Sequence, residues 1–201
     1  LISIIDYGVG NLRSVQKAFE LLGMDAVITE DKSVIRESKG IILPGVGAFP
    51  DAMKELESKG LTDIIIQEAQ KGKPILGICL GMQLLFEVGY EVEETKGLGL
   101  IKGRIDKIIG DVKIPHMGWN NLEIVNEGTV LNGLPRDSYA YFVHSFYATV
   151  TNKENLDATT FYGTSIPAVV SNGNIIGIQF HPEKSGKVGM QILKNFGELV
   201  K

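Results

Sequence analysis

At 201 residues, with 44% hydrophobic and 22% charged side chains, the chain carries enough apolar material for one sizeable core in an ordinary globular protein. A formal net charge of −4 argues against a nucleic-acid binder, which shows a basic excess, and the single cysteine leaves no internal disulfide. No uncharged apolar run reaches the roughly 18–20 residues of a membrane span, so a cytoplasmic enzyme or binding domain over 1–201 is expected.

Leu1–Ile5 predicts a first strand rather than a signal segment, since no basic region accompanies it. The turn Asp6-Tyr7-Gly8-Val9-Gly10-Asn11 follows. Leu12, Val15, Phe19 and Leu22 then recur at spacings of three and four, one face of a helix closed by Gly23. The Gly-x-Gly here lacks the third glycine of a dinucleotide fingerprint. A short strand near Ala26–Thr29 completes a βαβ opening.

Gly40–Leu43 reads as the next strand and runs into Pro44-Gly45-Val46-Gly47-Ala48-Phe49. Glycines at the end of a strand let the backbone approach a ligand and aim N–H groups at it. Ala52, Met53 and Leu56, then Leu61, Ile64, Ile65 and Ala69, predict two amphipathic helices broken near Gly60.

The stretch Pro74–Phe86 carries the chemistry. Ile75–Ile78 suits a strand buried on both faces, and Leu80, Met82, Leu84, Leu85 and Phe86 suit a helix packed into a core. Cys79 sits at their junction, framed as Gly77-Ile78-Cys79-Leu80-Gly81. That is the small-residue frame of a nucleophile elbow, where a sharp strand-to-helix turn lifts one side chain above the sheet. The Leu80 amide is then placed for a developing oxyanion, with a second N–H drawn from the loop Gly45, Val46 and Gly47.

After Phe86 the residues Glu87, Glu91, Glu93 and Glu94 predict a solvated loop. The remainder is rich in short β segments, near 103–108, 121–125, 139–143, 147–150, 158–161, 168–170 and 175–180. Val188, Ile192, Phe196 and Leu199 mark a closing helix. The expected architecture is therefore α/β, with parallel βα units first and a largely antiparallel extension later.

A thiol nucleophile needs a base, and three histidines are available: His116, His144 and His181. His181 follows the apolar strand in Gln179-Phe180-His181-Pro182-Glu183-Lys184. In extended chain, residues two apart share a face, so Glu183 can fix the imidazole tautomer. Cys79, His181 and Glu183 form a coherent set of nucleophile, base and orienter; His116 and His144 read as structural or lining residues, either of which could replace His181 if the fold separates the two sites.

At Gly77–Phe86 and Phe180–Glu183 the sequence resembles the class I glutamine amidotransferases, Cys-His-Glu enzymes that release ammonia from glutamine. The resemblance covers nearly the whole chain. Asp6–Leu12, Pro44–Phe49, Pro115-His116-Met117-Gly118-Trp119-Asn120 and His181–Ser185 are similar to the branch of the family whose members pass ammonia to a (β/α)8-barrel cyclase subunit. It implies a flavodoxin-like fold, no metal and no cofactor. It also implies that Gln83 and Glu91, with backbone at Ser145 and Phe146, hold glutamine, Glu93 being the rival in that register. Asn11, Pro115, His116, Met117, Gly118, Trp119, Tyr141 and Lys184 would lie at or near the partner surface. Val46, between two glycines, is expected to reorient its peptide to complete the oxyanion hole. Two rivals remain: a different amidotransferase or cysteine hydrolase on the same fold, and a regulatory domain with an inert Cys79.

Overall fold

The computed structural model describes residues 1–201. Its first half alternates β1 (Ile2–Ile5), α1 (Leu12–Leu21), β2 (Ala26–Thr29), α2 (Lys32–Glu37), β3 (Gly40–Gly45), α3 (Phe49–Ser58), α4 (Leu61–Gln70), β4 (Ile75–Cys79) and α5 (Leu80–Leu84). The second half holds β5 (Phe86–Gly89), β6 (Thr95–Lys96), β7 (Ile101–Lys107), β8 (His116–Asn121), β9 (Glu123–Ile124), β10 (Tyr139–His144) and β11 (Phe146–Val150). It ends with β12 (Leu156–Tyr162), β13 (Thr164–Asn172), β14 (Ile175–Ile178) and α6 (Gly186–Leu199).

The main sheet runs β2-β1-β3-β4-β14-β13-β12-β9. Its first five strands are mutually parallel, in the 2-1-3-4-5 order of flavodoxin-like proteins, and the last three continue it antiparallel. A four-stranded sheet, β11-β7-β5-β6, and the ribbon β10-β8 complete the β structure.

Strand alternation divides the core between the two faces of the main sheet. Ile41 and Leu43 face α3 and α4 through Met53, Leu56, Ile64 and Ile65. Ile42, Leu76 and Ile78 face α1 and α6 through Val15, Phe19, Ile192 and Phe196. Burial on both sides explains the uninterrupted apolar run at Ile75–Ile78.

Four elements differ from the sequence expectation. The elbow helix stops at Leu84 because the returning chain claims its carbonyls: Leu98 N–H donates to Leu84 O at 2.8 Å and Leu100 N–H to Leu85 O at 2.8 Å. Phe86 therefore begins β5 and pairs with β7, so the acidic loop starts only after Gly89. The unexpected α2 buries only Ile35 and is started by Asp31, whose carboxylate accepts from Ser33 N–H at 2.7 Å. His116–Asn121 is a strand although its Gly and Asn residues disfavour one, because it pairs along its whole length with β10.

Candidate active site

Cys79 has φ 55° and ψ −112°, a conformation few side-chain-bearing residues adopt. Strain of this kind persists where the surroundings enforce it, and here the two glycines do so. A Cβ on Gly77 would lie 2.7 Å from Gly81 O, and one on Gly81 would overlap the Leu43 carbonyl oxygen. The bend therefore requires glycine on both sides of the cysteine. Tyr7 seals it from beneath, donating to Pro44 O at 2.7 Å. Burial, and secondarily the neighbouring Cys79, hold that phenol well above its ordinary pKa.

β14 is the parallel neighbour of β4, so residues just past the ends of the two strands share one edge of the sheet. His181 arrives there three residues beyond β14. Its Nδ1 lies 2.9 Å from Glu183 Oε1, and both side chains are almost fully buried. A carboxylate oxygen can only accept, so Nδ1 carries the proton and Nε2 is left for the other side. Burial opposes charge on this imidazole, but Cys79 and Glu183 more than offset it and raise its pKa to about 9. Ser185 locks the segment, donating from Oγ to His181 O at 2.7 Å and accepting from Tyr141 N–H at 2.9 Å.

A cavity of about 330 Å³ opens over the sulfur, lined by Val46, Gly47, Cys79, Leu80, Gln83, Glu91, Pro115, Val143, His144, Ser145, Phe146 and His181. The sulfur contacts Val143 O at 3.8 Å and Gln179 Nε2 at 3.9 Å. Most residues expected around glutamine are thus together. Gly45 lies beneath the rim rather than on it, buried and paired in register with Cys79. Glu91 lines the cavity and accepts from Phe49 N–H at 2.8 Å, whereas Glu93 is exposed away from it. Gln83 Nε2 donates to Phe146 O at 3.0 Å and to Gln179 Oε1 at 3.1 Å.

Of the residues expected at a partner surface, Met117 and Trp119 are 62% and 58% exposed, and Trp119 meets Tyr141 edge-on at 6.1 Å. Asn11 and Lys184 are also exposed, Gly118 is half-buried, and Pro115 lines the cavity. His116 departs from that expectation: it is 3% exposed, stacked between Phe142 and Tyr162. In an alternating strand its neighbours Met117 and Trp119 cannot all share its direction. Sequence reasoning also passed over Gln179, which is wholly buried and joins Gln83 to the cysteine; its position directly before Phe180-His181 was the available signal.

The model of the class-I glutamine amidotransferase family matches residues 3–199, and the chain belongs to that family. At the level of individual proteins, it is 51% identical to the imidazole glycerol phosphate synthase subunit HisH of Caldanaerobacter subterraneus subsp. tengcongensis, across 100% of this chain and 99% of that one. It is 50% identical to the HisH subunit of Bacillus cereus, across 100% and 95%. Among solved structures, a glutamine amidotransferase superposes with a TM-score of 0.79 at 20% identity, covering 99% of this chain and 98% of that one. PurLQS from Thermotoga maritima superposes at 0.77 with 23% identity, covering 100% and 98%. These two share the fold.

Proposed function

We propose that this chain is the glutaminase subunit of an imidazole glycerol phosphate synthase, hydrolysing glutamine to glutamate and ammonia for histidine biosynthesis. The observation that carries the reading is the convergence of Cys79, His181 and Glu183 at one sheet edge beneath a cavity. The names of the relatives at about half identity support the pathway.

Cys79 Sγ attacks the side-chain amide carbon of glutamine, and the tetrahedral oxyanion is met by Leu80 N–H and an N–H of the Gly45–Gly47 loop. His181 holds on Nε2 the proton released by the Cys79 thiol and gives it to the departing ammonia as the C–N bond breaks, leaving a γ-glutamyl thioester. It then takes a proton from water as that water attacks the thioester, releasing glutamate and restoring the thiol. Glu183 keeps the imidazole oriented throughout. Gln83 and Glu91 hold the amino-acid end of glutamine, the Glu91 carboxylate accepting from the α-ammonium group, with the Ser145 and Phe146 backbone beside them. Reorientation of the Val46 peptide on the cavity rim completes the oxyanion hole when the partner is bound.

The ammonia passes to a (β/α)8-barrel cyclase subunit docked over Asn11, Pro115, Met117, Gly118, Trp119, Tyr141 and Lys184, with His116 behind them. The exposed Trp119 and Met117 support that face, because aromatic and Met side chains are enriched at interfaces. The whole chain acts as one domain, without cofactor or metal, in the cytoplasm; no helix is long and apolar enough to cross a membrane.

Incubation with a diazo-ketone analogue of glutamine, followed by peptide mass spectrometry, tests the reading. One adduct on Cys79, absent in Cys79→Ala, is expected, with glutaminase activity in the synthase complex falling at least a thousandfold in that variant. Full activity in Cys79→Ala would end the proposal.

A further inference from the structure

Beside the reacting groups lies a line of polar side chains to which the mechanism above gives no task. His144 lines the cavity, and its Nδ1 is 2.8 Å from Phe146 O. Its Nε2 is 2.9 Å from His116 Nδ1. His116 Nε2 is 3.2 Å from Asn120 Nδ2, which also donates to Phe161 O at 3.0 Å.

Proton positions along this line follow from its two ends. A carbonyl only accepts, so His144 Nδ1 carries hydrogen; in the neutral ring Nε2 is then an acceptor. His116 must therefore donate from Nδ1 and accept at Nε2, which the Asn120 amide N–H satisfies. Both rings are neutral, since burial lowers each pKa to about 4, the other imidazoles adding to the effect at His144. Along the line each donor points the same way, from Asn120 in β8 through His116 and His144 toward the cavity. Phe142 and Tyr162 clamp the His116 ring on its two faces, with centroids at 4.8 and 4.1 Å, so the line cannot rotate freely.

The line ends on the carbonyl that also accepts from Gln83. Two donors on one oxygen fix the Phe146–Tyr147 peptide at the start of β11, next to the Ser145 and Phe146 residues of the cavity wall. We propose that His144 and His116 are positioning residues, which through a one-directional chain of neutral imidazoles begun at Asn120 hold the Ser145–Phe146 backbone and Gln83 in the geometry that binds the substrate's amino-acid end. This rests on the glutaminase reading and adds to it how that wall is held.

Two substitutions at His116 separate hydrogen bonding from packing. His116→Phe keeps a ring in the stack but removes both hydrogen bonds, leaving His144 Nε2 unpaired; His116→Asn keeps a donor near the Nδ1 position but loses the ring. In the assembled synthase complex, KM for glutamine should rise roughly tenfold in His116→Phe, with kcat within about threefold, and His116→Asn should recover most of the loss. The opposite ranking, Asn worse than Phe, would mean that the ring serves only as packing and would overturn the proposal. Nitrogen-15 NMR of the unaltered protein gives a check that needs no variant. Both rings should be neutral with hydrogen on Nδ1, and hydrogen on Nε2 of either, or a charged ring at neutral pH, contradicts the chain. Labelling of Cys79 by the glutamine analogue is the control: its absence defeats the glutaminase reading, whereas labelling together with an unchanged KM in His116→Phe defeats only the positioning role.

Discussion

The two halves of this chain meet where β4 and β14 lie side by side in parallel register, and they are built on different rules. Upstream of that seam, β1 to β4 are laid down as repeating βα units, with helices covering both faces. Downstream, β5 to β13 are spread over three sheets and pair mostly antiparallel across long stretches of sequence. Cys79, the proposed nucleophile, belongs to the first half, and His181 and Glu183, its proposed base and orienter, to the second. Gln179 and Cys79 touch although they stand 100 positions apart. The elbow is enforced within the first half, by Leu43 crowding Gly81 and Tyr7 sealing the bend, while the meeting of Cys79 with Gln179 waits on pairing with the second half.

Disturbing each side of the seam sharpens the contrast. The largest effect is expected at the elbow: Gly81→Ala drives a methyl group into the Leu43 carbonyl and should lower unfolding free energy by about 3 kcal/mol in urea titrations. Gly173→Ala, in the turn between β13 and β14, faces open space at φ +60° and should lose only about 1 kcal/mol. Equal losses would mean that the elbow is no tighter than an ordinary turn.

Next comes Glu183, the proposed orienting carboxylate. Glu183→Gln should reduce kcat roughly a hundredfold while leaving labelling of Cys79 detectable, because the base remains but loses its orientation. It also changes a pH dependence. The His181 pKa lies above its ordinary 6.5, at about 9. The stability its proton contributes is therefore complete below 6.5 and is lost as pH rises through about 9. NMR titration of the His181 ring should place its midpoint near 9, and Glu183→Gln should move it down, bringing the loss of stability to lower pH. An unmoved midpoint would separate Glu183 from the ring's charge.

The smallest effect on folding is expected at the exposed face. Trp119→Ala should change unfolding free energy by no more than about 0.5 kcal/mol, yet weaken the partner subunit by about 2 kcal/mol in a titration of the two chains. Intact affinity would move the docking face elsewhere.

How much of this was legible in the sequence divides along the same seam. The Cys79 frame, the strands before it and the helices beside them follow from periodicity and glycine placement, signals that act within a few residues. His181 and Glu183 were legible because their spacing is local, although their meeting with Cys79 is not. The strand His116–Asn121 was hidden, since Gly118, Asn120 and Asn121 disfavour extended pairing and only β10 stabilises it. The early end of α5 depends on donors more than ten residues later, at Leu98 and Leu100. That Glu91 lines the cavity and Glu93 does not is visible only in the fold, where Glu91 accepts from Phe49 N–H, 42 positions away.

Because crowded glycines and the Tyr7 seal create the bend at Cys79, its shape owes little to the sulfur atom itself. A copy with alanine at that position should keep the same outline and compete for the same partner while delivering no nitrogen. Expressed beside the intact gene product, such a silent copy would starve the shared complex in proportion to its abundance, a dominant phenotype from a single missing atom.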